Sequence, residues 1–478
     1  MRRALVVAMS LFTGGVVTEA THIAQAAEAG NPNVVVPASQ HVTLGNGLKL
    51  VMVPRHELPV VAFNLVLRGG ARLDEPGKEG TASLVAELLS YGAGRRDAYA
   101  FVDAVEGAGG SLNAGAGNET ITVRGQFLAR DSSLMLDLLA DAVQRPRLAQ
   151  AEFAKLQERH IEELKAVKDS EPQALLSSYG RALLFGTHPF ARSAGGSEAS
   201  LARVTRADVA RYVAEQFGAD RATLVVAGDF DPKALQAAVK NAFGDWHKAA
   251  RTLPPLAEPV RVRGRRILLV DAPGSAQSYF WLGNVGVARR YAQRAPLQVA
   301  NTAFGGSFGS MLNQELRVKA GLTYGASSGF NRGSVPGEFA ISTFTQTPAT
   351  ARALQLTLDT LAGLHAGALA PERIESSRRY LLGQYPLAFE TSNDWAVAFG
   401  DMDFFGLPES YYGQFGSDLL AVSESAVRAQ VASEFPSADD LAIVVIGDAA
   451  KIREELAKFG PVTEMPLASP EFSPTAAR

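Results

Sequence analysis

The sequence of 478 residues contains no cysteine. Disulfide bonds, thiolate zinc sites and cysteine nucleophiles are therefore excluded. Histidine is scarce as well: there are seven, and none forms an H-x-x-x-H pair. The formal net charge of −3 gives no support for nucleic-acid binding, which usually needs a clustered basic face. Beyond the N-terminus no segment reaches the ~18 uninterrupted apolar residues that a membrane-spanning helix needs, so we predict no membrane span.

The composition is that of an ordinary soluble globular protein, with 47% apolar and 20% charged residues. The N-terminus differs from the rest: MRR precedes the apolar run ALVVAMSLFTGGVV at 4–17, and the AQA that ends at Ala26 offers a cleavage site. This pattern predicts a secretory signal peptide over 1–26 and a mature protein in a bacterial periplasm. The alternative is an amphipathic N-terminal helix.

The rest of the chain contains two similar halves. LVVAGDF at 224–230 and IVVIGDA at 443–449 are near-identical strand-then-turn segments, and they lie about 220 residues apart. This spacing is too long for a solenoid and predicts a duplicated domain. The predicted units are an N-terminal domain (38–249), an extended proline-containing linker (250–262), a C-terminal domain (263–465) and a disordered tail (466–478).

Strands and helices occur in blocks rather than in strict alternation. This order favours an α+β fold in which each domain has a mainly antiparallel sheet with helices packed on one face. Residues 42–54 predict a hairpin with an Asn-Gly turn. The other elements predicted for the first half are strands at 60–70 and 119–128 and helices at about 79–93, 97–108, 129–144 and 150–168.

The helix within GTASLVAELLSYGAG, residues 80–94, raises the question of function. Its polar face carries Ser83, Ala86 and Glu87 at i, i+3 and i+4, the spacing at which a metallopeptidase helix holds its ligands and base. Its other positions are apolar, and we predict that they build the core: Leu84, Val85, Leu88 and Leu89.

Several motifs, taken in order, resemble the insulysin/pitrilysin/mitochondrial processing peptidase family. They are NGLKLVMVP, RGGARLDEPGKEGTAS, GGSLNAGAGNETI, GTHPFARSAGGSEASLARVTRADVARYV and FGGSFGSMLNQELRVKAGLTYGASS. Active members carry H-x-x-E-H where this chain has Ser83, Ala86 and Glu87, and a third glutamate ligand where this chain has Glu163. The resemblance therefore implies a degenerate zinc motif, and we predict no metal in this chain. His160 and Glu163 form an i,i+3 pair that we interpret as a solvated helix face.

The resemblance also implies a role for QELRVKAGLTYGAS. Gly321 is predicted to end a helix in the left-handed conformation, and a strand is predicted to start at Leu322. Arg317 and Tyr324 match residues that hold the substrate carbonyl and its oxyanion in relatives. The alternative is structural: Arg317 caps helix carbonyls and Tyr324 lies on a sheet face.

The glycine-rich segment FGGSFGSML at 304–312 lacks the Lys-Ser/Thr of a phosphate loop, so nucleotide binding is not predicted. A segment that lets a peptide backbone approach closely is the preferred interpretation, and close chain packing is the alternative. The candidate substrate-binding residues are Gly305, Gly306, Ser307 and Gly309.

Together these features predict a non-catalytic subunit of a heteromeric periplasmic zinc peptidase, inactive alone. It would pair with a similar H-x-x-E-H subunit that holds the zinc, and it would supply Arg317 and Tyr324 for peptide hydrolysis. Two alternatives remain. One is an inactive scaffold or peptide-binding protein of the same fold. The other is a self-sufficient hydrolase with a metal site built on Glu87, Glu163 and a distant histidine.

Overall fold

The structure is a computed structural model, and it describes residues 32–474. The signal peptide predicted for 1–26 lies outside the described residues. Within them, the chain forms two halves, each built on a six-stranded sheet. No helix of this part of the chain is long and apolar enough to cross a membrane.

The first half contains two strands that form the predicted hairpin, followed by four more. The strands are β1 Gln40–Thr43, β2 Lys49–Pro54, β3 Val60–Arg68, β4 Ser111–Ala116, β5 Thr120–Leu128 and β6 Ala222–Gly228. The helices are α1 Thr81–Leu88, α2 Ala98–Gly107, α3 Ser132–Gln144, α4 Gln150–Ser170, α5 Leu176–Phe185, α6 Glu198–Arg203, α7 Arg206–Gln216 and α8 Pro232–Phe243. Short 3₁₀ turns connect several of them.

The second half repeats most of this order. Its strands are β7 Arg266–Asp271, β8 Gln277–Val285, β9 Ala326–Phe330, β10 Glu338–Gln346, β11 Ala442–Gly447 and β12 Val462–Pro466. Its helices are α9 Arg294–Asn301, α10 Thr350–His365, α11 Pro371–Gln384, α12 Ser392–Phe405, α13 Ser410–Gly413, α14 Phe415–Leu420, α15 Glu424–Glu434 and α16 Ala449–Leu456. Of two π-helical stretches, Thr302–Gly306 includes the start of the glycine-rich segment and Asn313–Lys319 follows its end.

The two sheets have matching strand orders, β1-β2-β6-β3-β5-β4 and β12-β7-β11-β8-β10-β9. Most neighbours are antiparallel, and the parallel pairs are β2 with β6, β7 with β11, and β7 with β12. The central strands β6 and β11 are buried along their whole length, which fits their apolar sequences ATLVVAG and AIVVIG. The prediction of two similar α+β domains with mainly antiparallel sheets is confirmed.

The halves exchange helices, a feature that the sequence did not reveal. Helices from the same half pack on one face of each sheet. On the other face, α12 from the second half packs against β3 and β6, and α5 from the first half packs against β8 and β11. Asp403 on α12 accepts hydrogen bonds from Lys49 (2.8 Å), Arg68 (3.0 Å) and Thr223 (2.6 Å). Each sheet is thus covered on both faces, and the halves share one structure.

The C-terminal segment, for which a disordered tail over 466–478 is predicted, contacts the first half within its described part: Phe472 is 8% exposed and meets the Tyr179 ring edge-on at 5.1 Å. Glu471 accepts a hydrogen bond of 2.7 Å from Ser197. Residues 475–478 lie outside the described part. The segment 250–262, predicted to be a linker, contains no helix or strand.

Candidate functional site

Helix α1 begins where an acidic loop folds back onto it. The side-chain carboxyl group of Asp74 accepts backbone hydrogen bonds from Gly80 and Ala82, both of 2.9 Å, and so satisfies N–H groups that the helix start leaves free. Asp74 is only 4% exposed, and burial raises the pKa of its carboxyl to about 8. The loop is recognisable in the motif RGGARLDEPGKEGTAS, but the capping role of Asp74 is not. An aspartate six residues before the first free N–H is beyond the usual capping spacing.

The three motif positions lie on α1 as predicted, but their side chains do not form a zinc site. Ser83 donates a hydrogen bond of 2.8 Å to the carbonyl of Ala194, and Ala86 is fully buried. Glu87 accepts hydrogen bonds from His160 (2.7 Å) and from Arg159. Zinc catalysis requires imidazole ligands and a base. The Ser83 hydroxyl already donates to a carbonyl and does not replace an imidazole, and the Ala86 methyl group does not replace a base. The residues present therefore do not fit the metal of active relatives.

Glu87 is held as an ionised partner of two side chains on α4. The hydrogen bond from His160 lowers the pKa of the Glu87 carboxyl and outweighs partial burial, and Arg159 lowers it further. A carboxylate with a lowered pKa and two committed donors is poorly suited to take a proton from water. Glu87, Arg159 and His160 thus form an ion-pair contact between α1 and α4.

The expectation for His160 needs correction. Its side chain is 17% exposed and faces Glu87 rather than solvent. Glu163, proposed as the third ligand, is 63% exposed and lies 3.5 Å from the Arg159 guanidinium. Within residues 32–474 no group of three or more His, Asp or Glu side chains is arranged to hold a metal ion. The alternative metal site on Glu87 and Glu163 thus finds no third ligand in this part of the chain.

The Arg317 segment shows the predicted helix end and a later strand start. Gly321 has φ 63°, and the carbonyls of Arg317 and Leu316 accept the N–H groups of Gly321 and Leu322. The prediction that a strand starts at Leu322 is wrong, because β9 begins at Ala326. The Thr345 hydroxyl donates a hydrogen bond of 2.7 Å to the carbonyl of Leu322, so a side chain and not a strand backbone pairs with this carbonyl before β9 begins.

Arg317 lies in the last turn of the π-helical stretch and Tyr324 three residues beyond Gly321, and no contact between their side chains is present in the described part of the chain. The Arg317 guanidinium lies 4.4 Å from the centre of the Phe308 ring, a cation–π contact. Tyr324 is 81% exposed, and Phe308 and Val318 beside the helix end are 70% and 62% exposed. Arg317, Tyr324 and these two apolar side chains are called the Arg317 surface below. Phe308 is the member that sequence reasoning missed, although it lies inside the glycine-rich segment.

The glycine-rich segment divides into a packed and an open part. Gly305 is buried against Ser328 and Leu312, which leave no room for a side chain, so it serves close packing. Ser307 donates to the carbonyl of Thr302 (3.1 Å). Gly306 and Gly309 are exposed, and nothing lies near the Cβ position of Gly309. Only the open part remains available to a peptide.

Fold and site together define a peptidase-like protein whose own zinc motif lacks ligands and base. Sequence comparison assigns the family: residues 50–194 match the profile described as Insulinase (Peptidase family M16), and residues 203–381 match Peptidase M16 inactive domain. The chain belongs to this family. The resemblance inferred from the motifs is confirmed.

Relatives include an uncharacterized zinc protease of Mycobacterium leprae, 26% identical over 374 residues, which are 78% of this chain and 82% of the relative. The non-peptidase homolog YmxG of Helicobacter pylori is 23% identical over 74% of this chain and 82% of its own. Among solved structures, the peptidase M16 inactive domain from Pseudomonas fluorescens has a TM-score of 0.80 and 24% identity, covering 86% of this chain and 98% of its own. This last similarity shows the shared fold.

Proposed function

We propose that this protein is the non-catalytic subunit of a periplasmic zinc peptidase. It pairs with a related subunit that carries H-x-x-E-H, and it contributes Arg317 and Tyr324 to the shared site. The observation that carries the proposal is the contrast between the two halves. The α1 helix has Ser83 and Ala86 where ligand and base are required, whereas the Arg317 surface keeps an exposed phenol and a half-buried guanidinium that is stacked on the Phe308 ring.

The chemistry of amide hydrolysis explains why such a surface is useful. Negative charge develops on the carbonyl oxygen, and fixed donors near that oxygen lower the barrier. The Arg317 guanidinium offers a permanent charge with a planar fork, and the Tyr324 hydroxyl offers a directed donor. Zinc in the partner subunit would supply the activated water. The residues of this chain would bind and orient the carbonyl.

The exposed apolar side chains of the same surface support a role in binding a partner or a peptide. Phe308, Val318 and Tyr324 are each more than 60% exposed, and the Phe308 ring contacts the Arg317 guanidinium. Exposed apolar groups rimmed by polar ones are typical of interaction sites. A partner or a peptide that covers them would also remove water from Arg317 and strengthen its interaction with a carbonyl oxygen.

The test begins with isolation of the tagged mature chain from its own periplasm and reconstitution with the H-x-x-E-H subunit recovered with it. We expect peptide cleavage by the complex that a chelator abolishes, and none by this chain alone. Arg317→Ala and Tyr324→Phe should each lower turnover of the complex by about 10²–10³-fold while the complex still assembles. Unchanged turnover in both variants would show that the assigned role is wrong.

Matched controls separate chemistry from surface effects. Tyr99 has the same exposure as Tyr324, 81%, and Arg130 has an exposed side chain (79%) on the other half. Tyr99→Phe and Arg130→Ala should leave turnover unchanged. If the chain instead recovers a partner without zinc ligands, or none, the scaffold or peptide-binding function replaces the proposal. The name of the Helicobacter pylori relative, non-peptidase homolog, makes that outcome worth testing.

A further inference from the structure

The Arg317 guanidinium is held by an aromatic ring and not by an acceptor. Its ζ carbon lies 4.4 Å from the centre of the Phe308 ring. Among residues 32–474 its side chain donates no hydrogen bond and forms no ion pair. Two other charges of the same π-helical stretch are paired with each other, since Lys319 donates to Glu315 at 2.8 Å. The N–H donors of Arg317 therefore have no acceptor within the described part of the chain.

Phe308 has no role in the hydrophobic core. It is 70% exposed and belongs to none of the buried apolar clusters of the described residues. Burial of apolar surface therefore contributes little to holding its ring where it is. What the ring does contact is the Arg317 guanidinium, and a cation over an aromatic face is attracted by the ring quadrupole.

The loop that carries Phe308 is fixed on both sides of the ring. The Ser307 carbonyl accepts a hydrogen bond of 3.2 Å from the Asn313 side chain, and the Gly309 carbonyl accepts one from Arg373 on α11. Asn313 begins the π-helical stretch that also carries the guanidinium. The ring and the cation thus share one support, and their contact is set by the backbone around them.

We propose that Phe308 is a positioning residue for Arg317, an inference that rests on the proposed function. The ring restricts where the guanidinium can lie but accepts none of its in-plane N–H groups. A carboxylate in the same place would occupy those donors and offset the charge. The guanidinium is instead held ready for an outside acceptor, the carbonyl oxygen of a peptide bond. A donor that need not reorient as charge develops on that oxygen lowers the barrier most.

Steady-state kinetics of the reconstituted complex test this role. Phe308→Leu keeps an apolar side chain but removes the ring face, and it should lower kcat by about five- to thirtyfold with a smaller change in KM. Phe308→Tyr retains a ring and should keep turnover within about twofold of the wild type. Tyr99→Leu removes an aromatic side chain that is also exposed (81%), on the first half, and should have no effect.

A second comparison separates positioning from a merely structural role. In protein that already carries Arg317→Ala, Phe308→Leu should cause no further loss, because the ring then has no guanidinium to hold. An equal loss in both backgrounds would overturn the proposal. Wild-type turnover of Phe308→Leu would overturn it as well, and the proposed function would stand if Arg317→Ala alone still lowered turnover. Unchanged turnover in Arg317→Ala would overturn both.

NMR of the whole mature chain gives a readout that needs no partner subunit. The Nε–H signal of Arg317, identified by its loss in Arg317→Lys, should be shifted by the ring current of Phe308. We expect this signal to move to the ordinary arginine range in Phe308→Leu and to stay shifted in Phe308→Tyr. A signal that is the same in the wild type and in Phe308→Leu would show that the ring does not hold the guanidinium, and the proposal would be overturned.

Discussion

At the scale of single residues, Asp74 links the loop after β3 to the start of α1. Burial favours its neutral carboxyl and raises the pKa to about 8, above the ordinary value near 4. Between these two pH values the folded protein therefore holds a proton that the unfolded chain has lost. The contribution of this carboxyl to stability is complete below the lower value and declines as pH rises toward the upper one.

This sign gives a prediction for Asp74→Asn. The variant lacks the titrating group and keeps only one acceptor for the two N–H groups of Gly80 and Ala82. The difference in the free energy of unfolding, wild type minus variant, should therefore decrease as the pH rises from about 5 to about 8. This pH range lies between the pKa values of Asp74 in the unfolded and folded states. Urea unfolding at several pH values measures it. If the free energies of unfolding of the wild type and of Asp74→Asn change in parallel with pH, the prediction is contradicted. Asp103→Asn, which alters an exposed side chain of α2, is the control.

At the scale of elements, the exchanged helices each cross the opposite sheet at a glycine. Gly180 on α5 lies against the Trp281 ring, and Gly400 on α12 lies against Asn64. Neither position has room for a Cβ atom. Asn64 is held in place, since its Nδ2 donates to the Ala396 carbonyl (3.2 Å) and its Oδ1 accepts from Arg124. The close approach of helix to sheet depends on these two positions.

Glycine to alanine in an exposed helix normally stabilises by about 1 kcal/mol. For Gly180→Ala and Gly400→Ala we expect the opposite: a loss of about 1–3 kcal/mol in the free energy of unfolding, because the added methyl group overpacks the junction. Gly383→Ala, in α11 with nothing near its Cβ position, is the matched control and should be neutral or stabilising. Denaturant unfolding of the three variants measures the difference. Stabilisation by all three would contradict the packing argument.

Local sequence patterns predicted the helices and strands far better than the residues at which they end or the elements that they contact. The hairpin, the helices of the first half and the apolar core of α1 follow from residues close in sequence. The helix of residues 80–94 ends early, at Leu88, because the chain turns toward Gly92 and Gly94, both with positive φ. The pairing of Glu87 with His160 joins two helices, and no periodicity within either helix encodes it. The roles of Gly180 and Gly400 depend on the other half and are invisible locally.

At the scale of the molecule, helix exchange makes the two halves one folding unit. The α12 and α5 faces cover the second side of each sheet, with buried side chains from both halves in shared clusters. Apolar side chains such as Trp395 and Trp281 would meet water if the halves separated. Burial of this kind is the main stabilising term in folding. The connection through 250–262, by contrast, is largely exposed.

Cutting this connection should therefore leave the protein assembled. A site for a specific protease inserted after Glu258 gives two fragments, which we expect to elute together at the size of the intact chain. They should separate only in denaturant, because covalent continuity adds far less than the shared apolar faces. Adding Gly400→Ala should lower the denaturant concentration at which the nicked fragments part, and Gly383→Ala should not. Fragments that elute apart in native buffer would show that each half folds alone and that the exchanged helices contribute little to holding the halves together.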